Sequence, residues 1–280
     1  MTMGNKFDLS ISMVVYKPDL EVLERALSSL HQAIGLVVEN NSLFKAVLYL
    51  IDNSCDPSWP DRLRVLLGKS FPCDGLVQVE LIVSDENGGY GRGNNLAIER
   101  STAQYHLVIN PDVYVDHDAL MIAVSYLNSH PAVGLLVPAV RGEDGERHYS
   151  CKRNPSLFIM FLRGFAPGWL KKVFHKKLDR FEMRDRDYEA EIDGVEYPTG
   201  CFMFFRTNRL HQIGGFDPDY FLHMEDADIG RRMLKVARVV YVPEVHVVHR
   251  WARDSHRNLR IRWVTVKSAF LYWRKWGGSF

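Results

Sequence analysis

The chain has 280 residues, 46% of them hydrophobic and 25% charged, and its formal net charge is +1. That apolar share is enough for a core that folds without staples, and the near-zero charge gives no global basis for binding nucleic acid. Four scattered cysteines (Cys55, Cys73, Cys151 and Cys201) form no C-x-x-C pair, which argues against a zinc knuckle or a disulfide framework and points to a reducing, cytoplasmic compartment.

The N-terminal stretch MTMGNKFDLSISMVVYKPD lacks the basic and long apolar regions of a signal peptide. No run approaches 18 apolar residues, so no membrane-spanning helix is expected and any membrane contact would be peripheral. Without a Gly/Ser tract, a Pro-rich run or an internal repeat, one compact domain over 1–280 is expected.

Leu9–Val15 (LSISMVV) is a β-branched apolar run and reads as a buried strand. After Asp19 as N-cap, Leu20, Leu23, Ala26, Leu27, Leu30 and Ile34 recur at helical spacing. Strands follow at Ala46–Ile51 and Leu76–Val83, then a helix over about Asn94–Arg100. Next come a strand at Tyr105–Ile109, a helix at Asp116–Asn128 and a strand at Val133–Val140. Strand and helix alternate with short connections, which predicts an α/β fold with a mostly parallel sheet. Residues 141–195 read as charged loop with an apolar patch at Leu157–Leu162. Beyond them, Cys201–Phe205, Val239–Val242 and Val245–Val248 read as strands, and Glu225–Val236 and Asn258–Trp276 as helices.

Three polar loops fall at strand ends, the edge of an α/β sheet where ligands bind. In Asp52-Asn53-Ser54, the carboxylate can accept the N3–H of a pyrimidine, although the same triplet also reads as an Asx turn. Glu86–Asn95 (ENGGYGRGNN) has glycines that allow close backbone approach, amides at Asn87, Asn94 and Asn95, and Arg92 to meet a phosphate. It is not the dinucleotide fingerprint: Gly89 to Asn94 spell G-x-G-x-G-N after the third strand rather than the first. Asn110-Pro111-Asp112 offers oxygen ligands to magnesium or manganese, and is also a common turn. Glu225, Asp226 and Asp228 open a helix whose dipole favours them, and one of them can serve as a general base. His246 and His249 are three apart, so a strand points them to opposite faces. Only one of them, His249, is expected to be a ligand.

In this order, VVYKP, IDNS, ENGGYGRGNN, INPDVYV, GCFMFFR, GGFDPDYFLHMEDADIGRR and VHVVH resemble the family-2 inverting glycosyltransferases with the GT-A fold, from about Leu9 to His256. The resemblance implies a Rossmann-like central sheet flanked by helices. It also implies a nucleotide-sugar-binding half at about 1–140, an acceptor and catalytic half at about 141–255 and a basic aromatic helix at about 256–280. Val15, Tyr16, Asp52, Asn87, Gly89, Arg92, Gly93, Asn94, Asn110, Asp112 and Glu225 would line the substrates, with Asp52 on the pyrimidine. Asp112, in the D-x-D element whose first acid is replaced by Asn110, would bind a divalent cation (Mg or Mn) with His249. Asp226 would be the catalytic base.

The NPD variant, the Gly-rich loop and the tail HVVHRWARDSHRN look most like bacterial rhamnosyltransferases of O-antigen or cell-wall polysaccharide assembly. Those use dTDP-L-rhamnose and extend a lipid-linked saccharide. The implied reaction is one in-line displacement, in which the metal and Arg92 stabilise the departing diphosphate. A UDP-hexose donor is the nearest alternative. A nucleotidyltransferase would want a Gly-rich basic loop after the first strand, where this chain has VVYKPD, and a non-catalytic binding module would not need both Asp112 and Asp226.

Two stretches suggest an anionic membrane surface as a further partner. Arg250–Lys275 carries eight basic residues against Asp254, interleaved with Trp251, Trp263, Phe270, Leu271, Tyr272 and Trp273, and closed by Trp276. Arg163–Lys177 mixes Phe165, Trp169, Leu170, Val173 and Phe174 with Arg163, Lys171, Lys172, Lys176 and Lys177. Basic residues with interfacial aromatics suit a helix lying on the inner face of the plasma membrane, while packing of these aromatics on the domain is the alternative.

Overall fold

A computed structural model describes residues 7–71, 75–164, 166–250 and 259–277, with the side chains of 259–262 excepted. The chain opens with β1 (Leu9–Val15), α1 (Leu20–Asn40) and β2 (Ala46–Asp52), and every residue of both strands is buried. Burial on both faces removes the polar alternation of a half-exposed strand, which is why these runs are apolar throughout. Asp19 caps α1, its carboxylate accepting the Glu21 and Val22 N–H groups, a contact worth about 1 kcal/mol. One stripe of α1, including Leu23, Leu27, Leu30 and Ile34, enters the main core.

Next come α2 (Trp59–Ser70), β3 (Val77–Val83) and α3 (Tyr90–Ile98). No element was predicted over α2, although Leu63, Leu66 and Leu67 bury at helical spacing and Pro60 sits in its first turn. Helix α3 begins four positions before the predicted Asn94, inside the Gly-rich loop itself. Then follow β4 (Tyr105–Ile109), β5 (Val113–Val115), α4 (Ala119–Ser129) and β6 (Val133–Arg141).

The stretch read as loop at 141–195 holds short strands β7 (Arg147–His148), β8 (Cys151–Lys152) and β9 (Ile192–Asp193), with helices α5 (Leu157–Gly164), α6 (Gly168–Val173) and α7 (His175–Phe181) between β8 and β9. These helices have six to eight residues, too short to show a full apolar period in sequence. The chain continues through β10 (Tyr197–Pro198), β11 (Phe202–Arg206), α8 (Thr207–Gln212), α9 (Glu225–Met233), β12 (Arg238–His249) and α10 (Leu259–Trp276). The two strands predicted at 239–248 are one strand, β12, with a register break between Val242 and His246. Pro243 falls in that break; it has no N–H to give the ladder, and an extra loop of backbone there re-aims the strand.

The large sheet runs β3-β2-β1-β4-β11-β6-β12-β5. β3, β2, β1 and β4 are parallel, β11 is antiparallel to both β4 and β6, and β12 is parallel to β6. This mostly parallel sheet flanked by helices is the predicted fold class. β5 is antiparallel to β12 at the sheet's edge, and the reversal at β11 inside the sheet sets the site. The ends of β2, β3 and β4, the start of β11 and the end of β12 all reach one edge, so residues 52–54, 86–95, 110–112, 200–201 and 249 converge there. Among the described residues no helix is long and apolar enough to cross a membrane.

Candidate catalytic site

The junction entering β11, Gly200-Cys201, is the hub of this edge. The Asn110 N–H donates to the Cys201 carbonyl (2.9 Å), which fixes the NPD turn against β11. Asp112 Oδ1 then lies 3.3 Å from His249 Nε2, and the Arg250 N–H donates to the Asp112 carbonyl (3.0 Å). Burial opposes charge on His249, but the Cys201 sulfur and the Asp112 carboxylate, both hydrogen-bonded to the ring, outweigh it and push it up to about 10. His246 is not part of this pair.

The pair suits a divalent cation. Ligands at about 2.1 Å around one octahedral ion stand about 3 Å apart, close to the Asp112–His249 separation. Asn110 Oδ1 is buried without a hydrogen-bond partner among the described residues, and it belongs to the same turn. No group of three His, Cys, Asp or Glu that could hold a metal occurs among the described residues. A cation here would therefore rely on Asn110 and on substrate oxygens, and would have to displace the His249 proton.

Asp226 reaches the hub from the other side. His223 (φ 68°) and Met224 (φ 69°) take left-handed backbone, a strained pair for residues with side chains, and this turn delivers the acidic first turn of α9. Asp226 Oδ2 accepts the Gly200 N–H (3.2 Å) and Oδ1 accepts the Ala227 N–H (3.0 Å). Tyr90 at the start of α3 donates its hydroxyl to the Gly200 carbonyl (2.8 Å). The buried Tyr197 phenol is pushed well up first by burial and then by the Asp226 charge.

The three acids of α9 differ sharply. Asp228 is fully buried and spoken for, by Arg232 Nε (2.7 Å), Lys275 Nζ (2.8 Å) and Trp276 Nε1 (2.8 Å). Glu225 is buried, and its Oε2 has no partner among the described residues. Burial, then the Asp226 charge, pushes the Glu225 carboxyl up to about 8, which favours its protonated form. Asp226 alone is partly open to solvent.

The Gly-rich segment is built differently from its sequence reading. A Cβ on Gly89 (φ 91°) would come within 2.1 Å of the Phe221 carbonyl, one on Gly91 within 3.0 Å of Phe216, and one on Gly93 within 2.8 Å of Val14. These glycines seat α3 against the protein itself rather than clearing space for a ligand. Asn87 Oδ1 accepts the Gly89 N–H (3.0 Å) in an Asx turn. Asn94 is fully buried, and its Oδ1 accepts from Ser12 Oγ (2.6 Å). Ser12 in turn contacts His106 Nε2 (3.1 Å), and Ser10 contacts His106 Nδ1 (2.7 Å). Arg92 donates Nε to the Pro218 carbonyl (2.9 Å) and stands 3.9 Å from Glu86, with half of its side chain exposed.

Asp52 closes β2, 1% exposed, and its Oδ1 accepts the Ser54 N–H (2.8 Å), the Asx turn. Val15 is buried and its carbonyl accepts the Asn53 N–H (2.9 Å), whereas Tyr16 is 58% exposed at the same edge. Gly200, Cys201, Tyr90 and Tyr197 were not singled out from sequence. The only signal was the GCFMFFR run, which marks where β11 begins.

The basic aromatic stretches divide. Lys275 and Trp276 turn inward, Lys275 to Asp217 (2.5 Å) and Asp228, and Trp276 beneath Arg231 and Lys235. Trp263, Phe270 and Trp273 on α10, and Leu157, Phe158, Phe161, Trp169 and Val173 on α5 and α6, are exposed. Trp251, Arg253, Arg257 and Phe165 lie outside the described residues, as do the side chains of Arg260 and Arg262.

Comparison with known proteins gives the context for this geometry. The family model described as "Glycosyl transferase family 2" matches residues 10–207, a span that stops before Asp226 and His249. An N-acetylglucosaminyl-diphospho-decaprenol L-rhamnosyltransferase of Mycobacterium tuberculosis is 28% identical over 216 residues, 70% of this chain and 69% of that protein. The Escherichia coli (strain K12) rhamnosyltransferase WbbL is 29% identical over 196 residues, covering 66% of this chain and 69% of that one. Among solved structures, the mannosyltransferase PcManGT from Pyrobaculum calidifontis in complex with GDP-Man and Mn2+ superposes with a TM-score of 0.60 at 15% identity. S. aureus TarS 1-349 in complex with UDP gives 0.56 at 14% identity. The matches cover 95% and 93% of this chain, which spans 64% and 65% of those two chains. At such identities the structural likeness is one of fold.

Proposed function

The chain belongs to glycosyl transferase family 2, and on that premise we propose that it transfers L-rhamnose from dTDP-L-rhamnose, with inversion, to a hydroxyl of a saccharide carried on a lipid diphosphate. It is a glycosyltransferase by family and by its rhamnosyltransferase relatives. The observation that carries the reaction is the Gly200-Cys201 hub, two consecutive residues of which the first holds the Asp226 carboxylate through its N–H and the second holds the turn of the Asp112–His249 pair through its carbonyl.

In this reading the acceptor hydroxyl gives its proton to Asp226. The Gly200 and Ala227 N–H groups fix the carboxylate rotamer, and burial of Glu225 beside it disfavours a second charge. Asp112, His249 and Asn110 would hold Mg or Mn, which supplies charge neutralisation for the departing diphosphate. Arg92 holds the Pro218 carbonyl through Nε alone, which leaves its Nη groups as donors for a phosphate. Asp52 would offer the pyrimidine its Oδ2, since Oδ1 accepts the Ser54 N–H. Rhamnose is favoured because both curated relatives are named rhamnosyltransferases, and a lipid diphosphate because one is named for a diphospho-decaprenol acceptor. The exposed aromatics of α5, α6 and α10 suit a site at the inner face of a membrane.

The test is thermal unfolding with a panel of nucleotide sugars and Mg or Mn, followed by nucleotide release with and without acceptor. At a hundred times its Kd a ligand stabilises by about 2.7 kcal/mol. dTDP-rhamnose should raise the midpoint more than UDP-glucose, UDP-galactose or UDP-N-acetylglucosamine. A shift with a UDP-sugar and none with dTDP-rhamnose would move the assignment to a UDP-hexose transferase.

A further inference from the structure

Two cations next to the hub have no carboxylate within ion-pair distance among the described residues. Lys152, on β8 opposite Tyr197 of β10, donates Nζ to Thr199 Oγ1 (3.2 Å) and stands 4.8 Å from the Tyr197 ring centre. Arg163, near the end of α5, lies 5.1 Å from the Phe181 ring centre, and the Phe181 and Tyr197 rings meet edge to face at 6.2 Å. The two cations therefore flank one aromatic floor whose Tyr197 end lies within reach of the Asp226 charge. Nearby arginines are matched, Arg153 with Asp185 and Arg184 with Glu182 and Asp179. Lys152 and Arg163 stand in no ion pair with a described carboxylate. Burial first, and the Arg163 charge second, depress the Lys152 ammonium to about 8.

Two cations close enough for the Arg163 charge to depress Lys152, offset only in part by the Asp226 and Glu182 charges, can hold an anion with more than one charge. A carboxylate would satisfy only one of them. A diphosphate carries oxygens for both, and beside Lys152 it would lie next to Thr199, the neighbour of Gly200. The helix that carries Arg163 also exposes Leu157, Phe158 and Phe161, so an apolar chain attached to that diphosphate has a surface to leave along.

We infer that Lys152 and Arg163 bind the diphosphate of a prenyl-diphosphate-linked acceptor, with the prenyl chain running over the exposed face of α5. The assignment rests on the acceptor class proposed above, and it gives that class a place distinct from the donor's diphosphate.

The experiment measures binding of geranyl diphosphate to the full chain by titration calorimetry, with the donor site first saturated by dTDP and a divalent cation. Wild type should bind geranyl diphosphate, bind inorganic diphosphate more weakly, and not bind geraniol. Arg163→Gln, at an exposed position, and Lys152→Met, which keeps the apolar stem, should each weaken geranyl diphosphate at least tenfold and leave dTDP affinity within twofold. Unchanged binding in both variants, or binding that dTDP abolishes in wild type, overturns the site. If dTDP binds and geranyl diphosphate does not, this inference falls while the glycosyltransferase reading stands. If dTDP itself fails to bind, the dTDP-rhamnose reading falls, and titration of geranyl diphosphate alone still decides this site. Anionic vesicles as a separate arm should bind equally to wild type and Arg163→Gln, and a loss confined to vesicles would assign Arg163 to the bilayer and overturn the site.

Discussion

Gly200 donates its N–H to the Asp226 carboxylate across 3.2 Å, although 26 positions separate them. A Cβ at position 200 would stand 3.2 Å from Asp226 Cβ and 3.4 Å from Oδ2, tighter than ordinary contact. Gly200→Ala should therefore displace the carboxylate and cut kcat by about tenfold to a hundredfold, since small misplacements of a reacting group are costly. The donor's KM should stay within about twofold. Steady-state nucleotide release is the measurement, and an unchanged kcat would show that this hydrogen bond does not set the base.

Asp226→Asn should bind donor normally and lose about a hundredfold or more in turnover, because the amide cannot accept the proton. Asp228→Asn should behave in the opposite way. It leaves Arg232 and Lys275 beside an uncharged group in a buried setting, a change costing about 3 kcal/mol or more, while the folded fraction stays active. Chemical denaturation and single-turnover rates on both variants separate the two roles. Normal turnover in Asp226→Asn would return the assignment to Glu225.

Activity should fall to background in excess EDTA and return with Mg or Mn. Asp112→Ala and His249→Ala should each lose transfer with the unfolding midpoint shifted by no more than a few degrees. Full wild-type activity in EDTA would remove the cation from the reaction.

The pH dependence of stability has a definite sign at Glu225. Its folded pKa, about 8, lies above the ordinary 4.5. The unfolded chain therefore releases this proton first, and stability falls as pH rises from about 4.5 through about 8. His106 works the other way. Burial, then the His211 charge, depresses it from 6.5 to about 3, so its contribution is present above pH 6.5 and lost as pH falls toward 3. Glu225→Gln should remove the alkaline-side loss and leave the acid-side loss in place. Urea midpoints between pH 5 and 9 test this, and a variant that still loses stability on the alkaline side as wild type does would place the titration elsewhere.

The strands β1, β2, β4 and β6 were legible because burial on both faces leaves continuous apolar runs. The acids at 225–228 and the NPD turn were legible as dense polar residues beside such runs. Which acid is free was not, because it depends on Lys275 and Trp276 arriving from a helix 48 positions further along the chain. Tyr90 likewise acts on Gly200 across 110 positions, a contact that no local pattern announces. The glycines at 89–93 were visible, but their reason was not. A glycine that makes room for a nucleotide and one that makes room for Phe216 or Val14 look the same in sequence. Pro243 misled in a similar way, since a residue that interrupts a ladder locally need not end the strand.

The seam between α3 and the segment before α9 has a consequence for redesign. Asn95 exchanges hydrogen bonds with both the N–H and the carbonyl of Phe216, Arg92 holds the Pro218 carbonyl, and the Phe221 carbonyl accepts the Tyr90 N–H. Segments 87–95 and 216–221, more than a hundred residues apart in sequence, thus behave as a single graft unit. A chimera that imports only one of them from a relative inherits mismatched halves of a backbone lock, and substrate preference is portable between such enzymes only when both halves travel together.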